Sequence, residues 1–172
     1  MVISKAEPLL DVQNLGIRFG GLKAVSDFNM TINQGELLGL IGPNGAGKTT
    51  IFNLLTGVYA PTEGQIIFTG KKISGLPPFK VTRKGISRTF QNIRLFKELS
   101  VLDNVKIAYH PLATHSIFSS ILRLPSHFIN EKEMEEKAIG FLKIFGLDHL
   151  KDEKAKNLPY GGQRRLEIAR AL

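Results

Sequence analysis

The chain has 172 residues, 42% hydrophobic and 22% charged, which is length and apolar content enough to bury a real core, so that disorder is not the default expectation. It has no Cys, so disulfides and thiolate metal sites are excluded; it has neither a signal-peptide pattern nor an apolar run near the roughly 20 residues of a membrane span, so it is expected to stay in the cytosol. Net charge is +8, which suits phosphate ligands, anionic lipid or nucleic acid equally, but the 23 Lys and Arg are scattered without long blocks, as on a solvated surface.

In chain order, residues 9–19 and 22–32 alternate imperfectly between apolar and polar around a Gly20-Gly21 pair, which reads as an antiparallel hairpin. Residues 36–41, "ELLGLI", are nearly continuous in apolar character and predict a strand buried on both faces. A helix is predicted over 48–56 with Gly57 as its stop, then a turn in "APTEGQ" and short strands at 66–68 and 85–90. Pro77-Pro78 limits 79–84 to a short helix. Ser100 followed by Asp103 is close to a capping box before Val101, Val105 and Ala108. The stretch 110–128 is poorly periodic and reads as an insertion of loops and a short helix. Asn130 with Glu133 opens a helix whose face is Met134, Ala138, Phe141, Leu142 and Phe145, stopped by Gly146. The chain ends on "LPYGGQRRLEIARAL", a Gly-Gly turn feeding an amphipathic helix.

The chemistry is concentrated in "GPNGAGKTT", residues 42–50, which fits G-x-x-x-x-G-K-[ST] with the strand before it and the helix after it that the pattern requires. Gly45 and Gly47 permit backbone conformations that turn successive N–H groups into one concavity. The helix N-terminus adds its dipole, Lys48 adds a charge that reaches β and γ phosphate oxygens, and Thr49 offers a hydroxyl to Mg²⁺. Read alone, the pattern says only that a nucleoside triphosphate binds. Phe19, at a strand end, is either a core side chain or a platform for a base. Gln91, just past a predicted strand end, is either a solvated loop residue or an amide that touches a metal-bound water. The Gly161-Gly162 pair at a helix N-terminus makes a second anion site.

Tyr160-Gly161-Gly162-Gln163 resembles the signature motif of ATP-binding cassette (ABC) ATPases, and Phe19, the 42–50 loop, Gln91 and the signature occur in that family's order. "RTFQNIRLFKELSVLDNV", "NLPYGGQRRLEIARAL" and the extra segment 111–128 are similar to the ATP-binding subunits of branched-chain amino acid importers. Pro159-Tyr160 in place of the usual Leu-Ser is also similar to that subfamily. The resemblance covers essentially the whole chain. It implies an α/β fold: part of a P-loop NTPase core of ABC type with an antiparallel β subdomain over 1–99, and a helical subdomain over 100–172 that ends in the signature helix.

By the same resemblance Phe19 stacks on adenine, and Gly42, Pro43, Asn44, Gly45, Ala46, Gly47, Lys48, Thr49 and Thr50 bind the phosphates of ATP. Mg²⁺ goes to Thr49 and Gln91, Lys48 and Gln91 carry the catalytic roles in this segment, and Gln91 couples the metal to a membrane partner. Tyr160, Gly161, Gly162 and Gln163 hold the γ-phosphate of ATP bound to the opposite protomer. The implied partners are a second ATPase subunit placed head to tail, integral membrane permeases and, indirectly, a periplasmic or extracellular substrate-binding protein. The implied place is the cytoplasmic face of the plasma membrane. In that family an apolar strand ending in Asp-Glu follows shortly after "ARAL", with a switch His later. Here "PLLD", ending at Asp11, precedes the loop, "VLDN" reads as a capped helix start, and His110 and His149 precede the signature. The expectation is a subunit truncated after the signature and inactive alone. Two alternatives stand beside it: an ABC ATPase for another cargo such as lipopolysaccharide, and a P-loop module on nucleic acid. The second lacks the aromatic interleaving of a stacking platform, so no nucleic-acid partner is expected.

Overall fold

A computed structural model describes residues 7–89, 93–109 and 125–172. The chain divides into two compact units, Met1–Ile86 and Ser87–Leu172. The first is a four-stranded antiparallel sheet in the order β2-β1-β3-β4 with two helices, and the second is helical.

The predicted hairpin forms as β1 (Leu10–Phe19) and β2 (Leu22–Ile32), joined by a turn at Gly20-Gly21. Alternation puts Leu10, Val12, Leu15 and Ile17 inward, and its imperfection has a cause: the register shifts between Val12 and Leu15. At that bulge Asn14 and Asp27 both take positive φ (47° and 46°), held by Asn14 Nδ2 donating to Asp27 Oδ1 at 2.7 Å and Asn14 N donating to Asn29 Oδ1 at 2.8 Å. Strand β3 (Glu63–Phe68) pairs with the other edge of β1, and the two-residue β4 (Lys71–Lys72) completes the sheet. Helix α1 (Lys48–Leu55) buries Ile51 and Leu54, and α2 (Pro78–Thr82) buries Val81, with β1 and Ile66 in one core. Gly57, at φ 73°, stops α1 as expected.

Two predicted strands do not form. Residues 36–41 make no ladder, and Leu37 and Ile41 are 98% and 93% exposed. Apolar character alone does not make a strand; a hydrogen-bonding neighbour does, and among the described residues no strand pairs with this segment, although Leu40 packs against the core. Residues 85–89 likewise lie outside any strand, and Phe90 lies outside the described residues.

In the second unit α3 (Val101–Tyr109) starts at the expected box: Ser100 Oγ accepts from Asp103 N at 2.9 Å and donates to Asp103 Oδ2 at 2.7 Å. Helix α4 (Pro125–Ile144) is already helical five positions before the predicted Asn130 cap, so Asn130 lies within it rather than at its start. Met134, Ala138 and Leu142 are buried from it, and Gly146 at φ 63° ends it. The insertion expected over 110–128 falls mostly outside the described residues. Short 3-10 turns at Asp148–Leu150 and Ala155–Asn157 lead into α5 (Tyr160–Ala171), which buries Leu166 and Ala169 against Val101, Val105 and Leu142.

Candidate nucleotide-binding site

The loop over 42–47 lies exposed between residues 36–41 and α1. Gly45 (φ 84°) and Gly47 (φ 83°) are left-handed and Ala46 between them is not, a backbone that suits turning N–H groups into an anion-binding hollow. Gly47 is the N-cap of α1, and a Cβ there would stand 3.1 Å from the Ala24 carbonyl, so the helix start is seated directly against β2. No side chain caps α1 and its first turn holds no acid. The amides of Lys48, Thr49 and Thr50 therefore have no acceptor within the helix, and the positive end of its dipole is unopposed. Lys48 folds back over the loop, its Nζ donating to the Gly42 carbonyl and, at 2.6 Å, to that of Pro43. Pro43, Asn44, Ala46 and the Thr49 hydroxyl-bearing residue itself are exposed. An exposed hydroxyl beside a phosphate hollow suits a hard cation that takes its other ligands from phosphate and water. Among the described residues no group of three or more His, Asp or Glu gathers to hold a metal.

Phe19 is not core. It is 43% exposed and meets the Tyr59 ring edge to face, with centroids 5.2 Å apart and planes at 75°. The hairpin places it: Phe19 pairs with Leu22, and Ala24, which Gly47 touches, lies two residues further along β2, about 7 Å at strand rise. An exposed, braced ring thus stands at the end of the same strand pair that seats the phosphate loop. Tyr59 was missed from sequence, since an aromatic in the "GVYAPTEG" turn carries no periodic signal.

In the other unit, the Gly-Gly pair is not a turn before a helix. Tyr160, Gly161 and Gly162 form the first turn of α5 itself, with Pro159 as N-cap, because Pro supplies an extended entry and the glycines oppose nothing in a first turn. Their amides have no intrahelical acceptor, and no acid stands in that turn. Tyr160 is 71% exposed. Gln163 is committed to its own backbone: its N donates to the Pro159 carbonyl at 3.0 Å and its Nε2 to the Leu158 carbonyl at 2.9 Å. Gln91 lies outside the described residues. Sequence reasoning also missed Asn104, fully buried, and Arg170 on the last turn of α5. The signal for Asn104 was its place between Val101 and Val105 on the apolar stripe of α3.

The family model described as ABC transporter matches residues 25–172. The chain is 45% identical to the high-affinity branched-chain amino acid transport ATP-binding protein LivG of Escherichia coli (strain K12) over 97% of its own length and 66% of that relative's. It is 44% identical to BraF of Pseudomonas aeruginosa, described in the same words, with the same coverage, and 35% identical to the lipopolysaccharide export system ATP-binding protein LptB of Escherichia coli (strain K12), over 95% of this chain and 62% of that one. A crystal structure of an ATP-binding cassette of an ABC transporter in its ADP conformation superposes with a TM-score of 0.79 at 35% identity, covering 96% of this chain and 65% of that chain. The chain thus spans slightly less than two thirds of the length of these relatives.

Proposed function

The chain belongs to the ABC transporter family, and from that membership we propose that it is the nucleotide-binding part of an ATPase subunit that powers uptake of branched-chain amino acids. The observation that carries the reading is the bare N-terminus of α1 behind left-handed Gly45 and Gly47, a ready hollow for the phosphates of ATP. Lys48 leaves its two loop carbonyls for phosphate oxygens, Thr49 holds Mg²⁺, and Phe19, braced by Tyr59, stacks on adenine. Mg²⁺, when bound, neutralises phosphate charge that builds up in the transfer. Gln91 is assigned the link between that metal and the membrane partner, on the resemblance of "RTFQN" alone.

Tyr160, Gly161 and Gly162 present a second set of unclaimed helix amides, which suits the γ-phosphate of ATP held by another ATPase subunit placed head to tail. The Gln163 side chain is an internal cap in this arrangement rather than a phosphate ligand. Exposed Phe96, just after Gln91, is the anchor for an integral membrane permease, with a substrate-binding protein acting through that permease. The working place is then the inner face of the plasma membrane, with the subunit bound peripherally; no described helix is long and apolar enough to cross it.

Identity of 45% to LivG against 35% to LptB favours the amino acid cargo. The test is uptake of labelled leucine into vesicles that carry the full-length subunit with its permeases and binding protein. ATP-dependent uptake that vanishes with Lys48→Ala supports the reading. Uptake indifferent to Lys48, or none for leucine, isoleucine or valine in an assembly that still hydrolyses ATP, overturns it.

A further inference from the structure

Asn44 is the only asparagine of the chain that is followed by glycine. The step matters chemically because the next residue's backbone nitrogen can attack an asparagine side-chain amide, and only glycine has no Cβ to obstruct the approach. The structure leaves it open. Ala46 N donates to the Pro43 carbonyl at 3.3 Å, which closes a turn with Asn44 and Gly45 at its centre. Both are exposed, Gly45 is left-handed at φ 84°, and a Cβ built there would meet nothing within 4 Å, so no neighbour packs against the reacting atoms.

Other asparagines are held. Asn14, Asn29, Asn33, Asn104 and Asn157 each donate Nδ2 to an oxygen of the chain, at 2.7, 3.0, 3.1, 2.9 and 3.3 Å, and each precedes a residue with a side chain. Among the described residues neither the Asn44 amide nor the Gly45 N–H has such a partner.

We propose that Asn44 is a site of spontaneous deamidation that disables the phosphate loop in subunits left without nucleotide. The inference rests on the reading of residues 42–50 as the phosphate site. Gly45 N, its proton lost to hydroxide, attacks Asn44 Cγ; the new C–N bond closes a succinimide ring, the Cγ–Nδ2 bond breaks, and Nδ2 leaves as ammonia. Water then opens the ring. Opening at Cγ returns the ordinary backbone with a carboxylate on the side chain, and opening at the main-chain carbonyl gives isoaspartate, whose backbone runs through the side chain and is one methylene longer.

Either product brings negative charge to a loop that suits anions. Lys48 Nζ bonds the Pro43 carbonyl at 2.6 Å, and bond lengths alone put a carboxylate on the next residue within about 10 Å of that ammonium, about one Debye length. No acid stands in the first turn of α1, so the new carboxylate is the first anion at a bare helix N-terminus and competes there with phosphate. Bound phosphate acts in reverse: it takes the N–H groups of the turn, the attacking nitrogen among them, and holds that nitrogen away from Cγ.

The test is to age the full-length subunit without nucleotide at mildly alkaline pH, and to follow it by peptide mass mapping, isoaspartate labelling and ATP titration calorimetry. Asn44 should convert ahead of the equally exposed Asn33 and Asn157, and binding capacity should fall in step with the converted fraction. ATP held at about ten times its Kd leaves roughly a tenth of the loops empty and should slow conversion about tenfold. Asn44→Asp should bind ATP about tenfold more weakly with no loss of thermal stability. Asn44→Gln, which would have to close a larger ring, should show a binding capacity that does not decline with time, whatever its starting affinity. Asn44 intact at the end of ageing, or converting no faster than Asn33, overturns the proposal. So does conversion that ATP does not slow, or that leaves binding unchanged, in a protein whose ATP affinity depends on Lys48. If neither conversion nor Lys48→Ala alters ATP binding, the phosphate reading of the loop fails first and the proposal falls with it. Should Asn44→Asp not fold, the aged unsubstituted protein gives the same comparison through its converted fraction.

Discussion

Lys48→Ala removes a side-chain charge that lies over the proposed phosphate loop, and the nucleotide-free geometry says how large the effect can be. A charge-assisted hydrogen bond contributes about 1.5–3 kcal/mol. Lys48 does not start from bulk water: its ammonium already bonds the Gly42 and Pro43 carbonyls, so ATP exchanges two bonds to neutral oxygens for bonds to charged ones. The gain on binding is therefore a difference, and it is the whole of what the Ala variant loses. That loss corresponds to roughly tenfold to a hundredfold in affinity, with the upper end reached only if phosphate replaces both carbonyls. Lys48 is half-buried and its ammonium bonds two loop carbonyls, so folding stability without nucleotide should change by about 1 kcal/mol or less. Lys48→Met, which keeps the stem, should bind ATP as weakly as Lys48→Ala. The measurement is titration calorimetry of ATP into the full-length subunit and both variants. Affinities equal to that of the unsubstituted protein would refute the assignment of the loop, and a Met variant that binds like Lys would show that packing, not charge, is what the stem supplies.

Phe19→Ala should weaken ATP and ADP by the same factor, about fivefold for an aromatic contact near 1 kcal/mol, since the base is common to both. A loss of thermal stability with unchanged affinity would restore the core assignment. Gly64→Ala should be among the most damaging single changes: Gly64 has φ 77°, and the added Cβ would stand 2.3 Å from the Asn14 carbonyl at the β1 bulge, a backbone clash worth about 3 kcal/mol or more. Urea unfolding measures it, and a shift under 1 kcal/mol, within the ordinary surface range, would mean the bulge is free to relax. Arg18 bonds Glu63 at 2.8 Å and, with Lys23, holds its carboxyl pKa below the ordinary value. A lowered pKa means that the pair's contribution is whole at neutral pH and is lost as pH falls through the lowered value; Arg18→Gln should move the Glu63 midpoint upward in a carboxyl NMR titration, and an unmoved midpoint would leave Lys23 as the sole cause.

What the sequence shows and what it hides divide by range. The hairpin, the Ser100 box and the stops at Gly57 and Gly146 rest on neighbours a few residues apart, and each forms where the residues place it. Residues 36–41 have equal apolar character but need a partner strand from elsewhere, which periodicity cannot supply, and they form no ladder. The geometry of the 42–50 loop follows from its own backbone, two left-handed glycines and a helix start, which is why its shape was legible. Phe19 was ambiguous because exposure depends on what packs behind it, and Tyr59 comes from a turn forty residues away. Asn104 shows the same limit from the opposite side. On α3 it interrupts an apolar stripe and looks like an error of pattern, but it makes two hydrogen bonds to the Phe96 backbone and a third to the Ser100 carbonyl at the start of its own helix. A polar residue on a buried stripe is therefore a useful signal of a tie to a neighbouring turn, because burial without a partner would cost more than the helix gains from keeping it.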